Sequence, residues 1–181
     1  MKKEDSMLLF DFSRTLIIGC AGSGKTELSK KLAKKLNLPL WHLDKILMKA
    51  NWENYSLSER YKILDEILCQ DAWLIDGMWL STLQYRLPFA TTVIYLDLPT
   101  RVCFNRAKRR YKKTRGMQTD DHATGCIETF DKEFQKYIKG FNKKYKKDIE
   151  KMLTTFGMHK VIRLKSPFQV WKFTKIFKLE N

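Results

Sequence analysis

Cysteine, histidine and proline are scarce in this chain of 181 residues, which holds four, three and four of them. Cys20, Cys69, Cys103 and Cys126 lie far apart, form no CxxC pair and have no histidine at metal-ligand spacing. That excludes a zinc site or a disulfide framework and points to thiols kept reduced in the cytoplasm. No apolar run approaches the roughly 20 residues needed to span a bilayer. Met1 to Ser13 carries two lysines but no long apolar segment and no small-residue cleavage site. A secretory leader is therefore not expected, and a cytoplasmic location is. Internal repeats and low-complexity tracts are absent, and the length suits one domain, 1–181, with a proper core.

Acidic residues are also few, 20 against 35 Lys and Arg, for a net charge of +15. The imbalance is local: residues 1–100 hold 13 basic and 12 acidic side chains, whereas 101–181 hold 22 and 8. An anionic substrate with ATP, a nucleic-acid partner and a solvated lysine-rich surface each account for such a half. Lys143, Lys144, Lys146 and Lys147 fall on a long polar segment read as helix, where a solvated face is the leading explanation.

What the chain does contain is Gly19-Cys20-Ala21-Gly22-Ser23-Gly24-Lys25-Thr26, a match to GxxxxGK[ST]. A β-rich run, Thr15 to Ile18, precedes it. Leu28, Leu32, Ala33 and Leu36 follow at helical spacing. This strand, loop and helix cradle phosphates: glycines bring backbone N–H groups to the oxygens and the helix N-terminus faces the anion. Lys25 is expected at the β/γ phosphates and the Thr26 hydroxyl in the shell of Mg²⁺. Cys20, if exposed, would be open to oxidation or alkylation.

Further strands are expected at Pro39 to Leu43, Ala72 to Ile75, Thr91 to Leu96 and Lys160 to Leu164. Helices are expected from Ser56 or Ser58 to Gln70, Arg101 to Tyr111, Ile127 to Leu153 and onward from Pro167. Alternation of this kind means parallel βαβ units and an α/β fold. An acceptor-binding insertion at about 45–71 and a mobile basic lid at about 111–125 complete the outline. Three strands end in Asp44, Asp76 and Asp97, at the sheet edge where α/β proteins gather ligands.

Asp76 is the candidate to hold Mg²⁺ through water, or else a capping residue of an Asp-Gly turn. Asp44 suits a carboxylate that orients a hydroxyl nucleophile or accepts its proton. Arg106 and Arg110, four apart on one helix face, suit a closing lid that spreads charge from a transferring phosphoryl group.

The order of phosphate loop, Asp44, Asp76-Gly77, Asp97-Leu98-Pro99 and basic lid resembles the adenylate-kinase-like P-loop kinases. The resemblance implies a five-stranded parallel sheet in order 2-3-1-4-5 with helices on both faces. It also implies adenine and polyphosphate contacts for Arg106 and Arg110. A nearer likeness is to the DNA topology modulation (FlaR-like) proteins, carried by Leu38-Pro39, His42-Leu43-Asp44, Trp52, Trp73-x-Ile75-Asp76-Gly77, Arg86-Leu87, and Asp121 with Gly125-Cys126-x-Glu128. Against that pattern, Met48 replaces an aromatic, Met78-Trp79 replaces Asn-Tyr, and Thr119 and Thr129 stand where arginines are usual. The implied function is a small-molecule kinase using ATP and Mg²⁺, with the acceptor between Asp44, Trp52 and Arg86. The alternative is a nucleic-acid-associated ATPase whose footprint is the basic half.

Overall fold

In the computed structural model, which describes residues 10–179, five parallel strands form one sheet in the order β2-β3-β1-β4-β5. These are β1 (Arg14–Gly19), β2 (Leu40–His42), β3 (Trp73–Asp76), β4 (Thr92–Leu96) and β5 (Val161–Leu164). The helices are α1 (Lys25–Leu36), α2 (Leu43–Ile46), α3 (Leu57–Leu68), α4 (Leu80–Arg86), α5 (Thr100–Thr114), α6 (Lys132–Phe156) and α7 (Pro167–Ile176). No helix among the described residues is long and apolar enough to cross a membrane.

Strand alternation sorts the core into two layers. Leu16, Ile18, Ile75, Val93 and Tyr95 face Leu64 and Ile67 of α3 and Ile138, Phe141 and Ile149 of α6. Ile17, Leu74 and Ile94 point the other way, onto Leu28 and Leu32 of α1 and Phe173 of α7. A sheet covered on both faces explains why its strands read as continuous apolar runs. The register pairs Ile17 with Asp76, His42 with Asp76, and Gly19 with Leu96. The end of β1 therefore opens between the carboxyl ends of β3 and β4.

Local signals set most boundaries. Ser56 caps α3 in a complete capping box with Glu59, so Ser56 and not Ser58 is the N-cap. Three segments depart from the expected outline. Strand β2 stops at His42 and the chain turns into α2, because Leu43 must bury its side chain beneath Gly77, where a Cβ would lie only 2.7 Å from that of Leu43. Asp44 thus stands on a single helical turn and not at a strand end. The long helix begins at Lys132 and not Ile127, because the Asp131 side chain accepts the Phe134 N–H as a cap. Helix α4, in a stretch to which the sequence reading assigns no element, follows the Asp76-Gly77 turn and hangs Trp79 over α2.

Asp97, expected among the strand-end carboxylates of the site, is instead structural. Arg163 of β5 donates to its Oδ2 at 2.7 Å, and Lys146 of α6 reaches both oxygens at 3.0 and 3.1 Å.

Candidate active site

The glycine loop at the end of β1 is shaped by close approach. Gly22 takes φ +76°, and a Cβ there would lie 2.3 Å from the carbonyl oxygen of Cys103 on α5. Any side chain would lift the loop off α5, so glycine is required. Gly24, at φ +99°, turns the chain into α1 with no side-chain cap, leaving the first amides of the helix directed at the loop. Lys25 folds over this cradle, its Nζ 3.2 Å from the Cys20 carbonyl. Arg106 donates to the Ser23 carbonyl at 3.1 Å and so buttresses the loop from α5.

Cys20 does not offer the exposed thiol that was considered for it. Its side chain is buried, and hydrogen bonding with Cys103, followed by burial, pushes its pKa up. Only the backbone of Cys20 can serve an anion.

Asp76 sits beneath the loop, buried. Its Oδ2 receives Ser29 Oγ at 3.3 Å and His42 Nδ1 at 3.0 Å. Its Oδ1 is buried without a hydrogen-bond partner among the described residues. An orphaned carboxylate oxygen on a residue that lines the same cavity as Thr26 fits a hydrated Mg²⁺, an ion that keeps its waters and takes one or two carboxylates. The sequence pointed to Asp76; Ser29 and His42, which orient it, are found only once β1, β2 and β3 are aligned.

Asp44 and Asp76 open into one cavity of about 660 Å³ together with Lys25 and Thr26. Asp44 is exposed to it and held from one side: Trp79 Nε1 donates to Oδ1 at 2.7 Å. Trp79 pays for that pose with a left-handed backbone (φ +30°), and the Arg60 guanidinium lies over its ring at 4.7 Å. Where the resemblance leads one to expect Asn-Tyr, Met78-Trp79 stands, and the Trp orients Asp44.

Arg86, expected at the acceptor, is not at the cavity. It is fully buried, with Nη2 on the carbonyls of Met78 and Trp79 at 2.9 and 3.2 Å and Nε on Thr82 Oγ1 at 3.3 Å. Burial alone pushes its pKa down to about 9. It shapes the turn that presents Trp79.

The segment after α5, expected to be a mobile lid, packs against residues 44–52. Ala123 N–H meets the Asp44 carbonyl at 3.2 Å, Trp52 Nε1 donates to the Ile127 carbonyl at 2.9 Å, and the Cys126 thiol reaches the Lys49 carbonyl at 3.3 Å. Trp52 also meets His122 edge to face, with 4.8 Å between centroids. Arg110, expected as a lid arginine, lies in α5 and lines the cavity, where it donates to Glu128 Oε1 at 3.0 and 2.7 Å. One cavity wall was visible as spacing alone: Phe134, Tyr137, Phe141 and Tyr145 recur every three or four residues along α6.

A family model described as an AAA domain matches residues 16–133. Curated proteins yield no match. Solved structures share the fold across nearly the whole chain. Shikimate kinase from Acinetobacter baumannii in complex with shikimate is 18% identical, covers 96% of this chain and 96% of its own, and has a TM-score of 0.55. Deoxyadenosine kinase from M. mycoides with bound dATP is 15% identical, with 91% and 95% coverage and a TM-score of 0.60. A gluconokinase from Sinorhizobium meliloti 1021 is 12% identical, with 92% and 90% coverage and a TM-score of 0.52. With well over half of its length matched, this chain belongs to the AAA domain family and has the P-loop kinase-like fold of small-molecule kinases.

Proposed function

We propose that this protein is an ATP-dependent kinase that transfers the γ-phosphoryl group to a hydroxyl of a small molecule. The observation that carries the reading is the shared cavity: a phosphate loop with Lys25, the orphaned Asp76 carboxylate and an oriented Asp44 all open into it. A plain nucleotide-binding module has no use for the last of these. The nearer resemblance to the DNA topology modulation proteins rests on motifs and carries no activity of its own.

In this reading the loop amides and Lys25 hold the β/γ phosphates. Thr26 and Asp76 would hold Mg²⁺, the latter through water. The ion would supply neutralisation of the phosphate charge there. Asp44 takes the proton of the acceptor hydroxyl on Oδ2, since Oδ1 is occupied by Trp79. The acceptor oxygen forms its bond to the γ-phosphorus as the bond to the β,γ-bridging oxygen breaks, and ADP leaves with that electron pair. Arg106 stiffens the loop, and Arg110, paired with Glu128, holds that carboxylate at the cavity wall. The segment 45–71 supplies the acceptor wall, and 111–125 the cover.

Lys25→Ala is expected to abolish ATP binding or turnover. Asp44→Asn is expected to leave ATP affinity within about twofold and to lower transfer by about 10²–10⁴-fold, the range of general-base catalysis. Calorimetric titration of ATP and coupled ADP release measure the two. Normal transfer in both variants would refute the assignment.

A further inference from the structure

The acceptor half of the cavity is unusual in its charge. Asp44, Asp121 and Glu128 line it, with Asp131 and Glu133 at its rim. The one lining guanidinium, Arg110, is already bound to Glu128. Lys25 belongs to the phosphate loop, and Arg86 is sealed beneath α4 on backbone carbonyls. His122 Nδ1 is engaged by Thr119 Oγ1 at 3.0 Å. An acceptor bearing a phosphate or carboxylate would meet carboxylates and no available cation, a like-charge arrangement that costs affinity.

Glu128 gives this arrangement a direction. It is only 4% exposed, yet Oε2 is buried with no hydrogen-bond partner among the described residues. His122 Nδ1 stands 3.8 Å from it, too far for a hydrogen bond. A buried carboxylate oxygen left unpaired at a cavity wall is costly unless a donor arrives. The rings of Trp52, Trp79, Phe134, Tyr137 and Tyr145 line the same cavity. Aromatic faces beside carboxylates attract ammonium groups and repel anions.

We infer that the acceptor is an amino-hydroxyl compound, an amino sugar or amino alcohol without phosphate or carboxylate. Its ammonium is bound by Glu128 Oε2 among the rings, and its hydroxyl is presented to Asp44. The inference rests on the kinase reading above and narrows it to one chemical class.

The test is a panel with MgATP. Glucosamine, galactosamine and ethanolamine form one arm, N-acetylglucosamine, glucose and adenosine a second, and AMP, shikimate and gluconate a third. Acceptor-dependent ADP release is expected in the first arm, with kcat/KM at least tenfold above that of the N-acetylated or deaminated counterpart. Calorimetry in the absence of ATP should show the same order of binding. Glu128→Gln should raise KM for the amine at least tenfold and leave KM for ATP unchanged. Asp121→Asn, which leaves the Arg110 pair intact, should weaken the amine in the same direction if Glu128→Gln fails to fold. Preferred turnover of the second or third arm overturns the amine assignment while the kinase reading stands. ATP binding with no acceptor in any arm overturns the kinase reading, and the assignment falls with it.

Discussion

Gly22 shows how a single residue type can be dictated from two sides. Its φ of +76° already disfavours a side chain, and the 2.3 Å approach to the Cys103 carbonyl leaves no room for one. Gly22→Ala should therefore cost more than the usual penalty for alanine at positive φ, since overpacking adds about 1–3 kcal/mol. The expected loss is about 2–4 kcal/mol by those principles, read as a lower urea midpoint, with ATP affinity reduced because the loop must lift from α5. A variant with unchanged midpoint and affinity would show that the loop does not rest on α5 as described. Arg86 teaches the opposite lesson at the same scale. It is expected beside the acceptor, but a guanidinium can equally be spent on backbone carbonyls, and only packing distinguishes the two uses.

Among the elements, the capping box of α3 and the latch of the lid make separable predictions. Glu59 has its carboxyl held below the ordinary glutamate range, first by its hydrogen bonds with Ser56 and then by Lys49. A carboxyl with a depressed folded pKa adds stability above its unfolded value and loses it as pH falls through the folded one. The contribution should be full at neutral pH and vanish below the usual carboxylate range. Glu59→Gln should therefore shift the thermal midpoint at pH 7 and leave it unchanged at pH 2–3 relative to the parent. Between residues 44–52 and the segment after α5, Trp52→Phe removes the Nε1–H donated to the Ile127 carbonyl, one neutral hydrogen bond worth about 0.5–1.5 kcal/mol. Local opening should increase by about two- to tenfold on that principle. Amide exchange across 115–130 would report it, with the strands of the sheet unaffected. Uniform acceleration throughout the chain would mean that the lid is not a separate opening unit.

For the molecule as a whole, what could be read in the sequence is what local chemistry decides. GxxxxGK[ST] and five apolar strand runs each carry their structural meaning within a few residues, so sheet and loop are legible, and Ser56-x-x-Glu59 is the local signal that decides between Ser56 and Ser58 as cap. The single turn at Asp44, helix α4 and the packing of the segment after α5 are not, because each depends on a partner far along the chain: Gly77, Asp44 and residues 44–52. Asp97 belongs with these, and its partners join the basic half to the sheet. Arg163 and Lys146 converge on a carboxylate that is 3% exposed, and Arg163 continues to Glu150. Lys146 thus differs from Lys143, Lys144 and Lys147, which are exposed. Asp97→Asn keeps the shape but leaves two cations facing a neutral amide, and removal of one member of a buried pair costs about 3–5 kcal/mol. The cost here should fall near the lower end, about 3 kcal/mol, because Arg163 keeps Glu150 and Lys146 is well enough exposed to be solvated. Lys146→Glu should be more damaging still, placing like charge against Asp97. Lys143→Glu and Lys147→Glu should stay within about 0.5 kcal/mol of the parent in urea unfolding. Reversal of Lys143, Lys144 and Lys147 alone then tests a nucleic-acid footprint on a folded protein. If that triple variant unfolds as readily as Lys146→Glu, α6 is anchored by more than the Asp97 cluster.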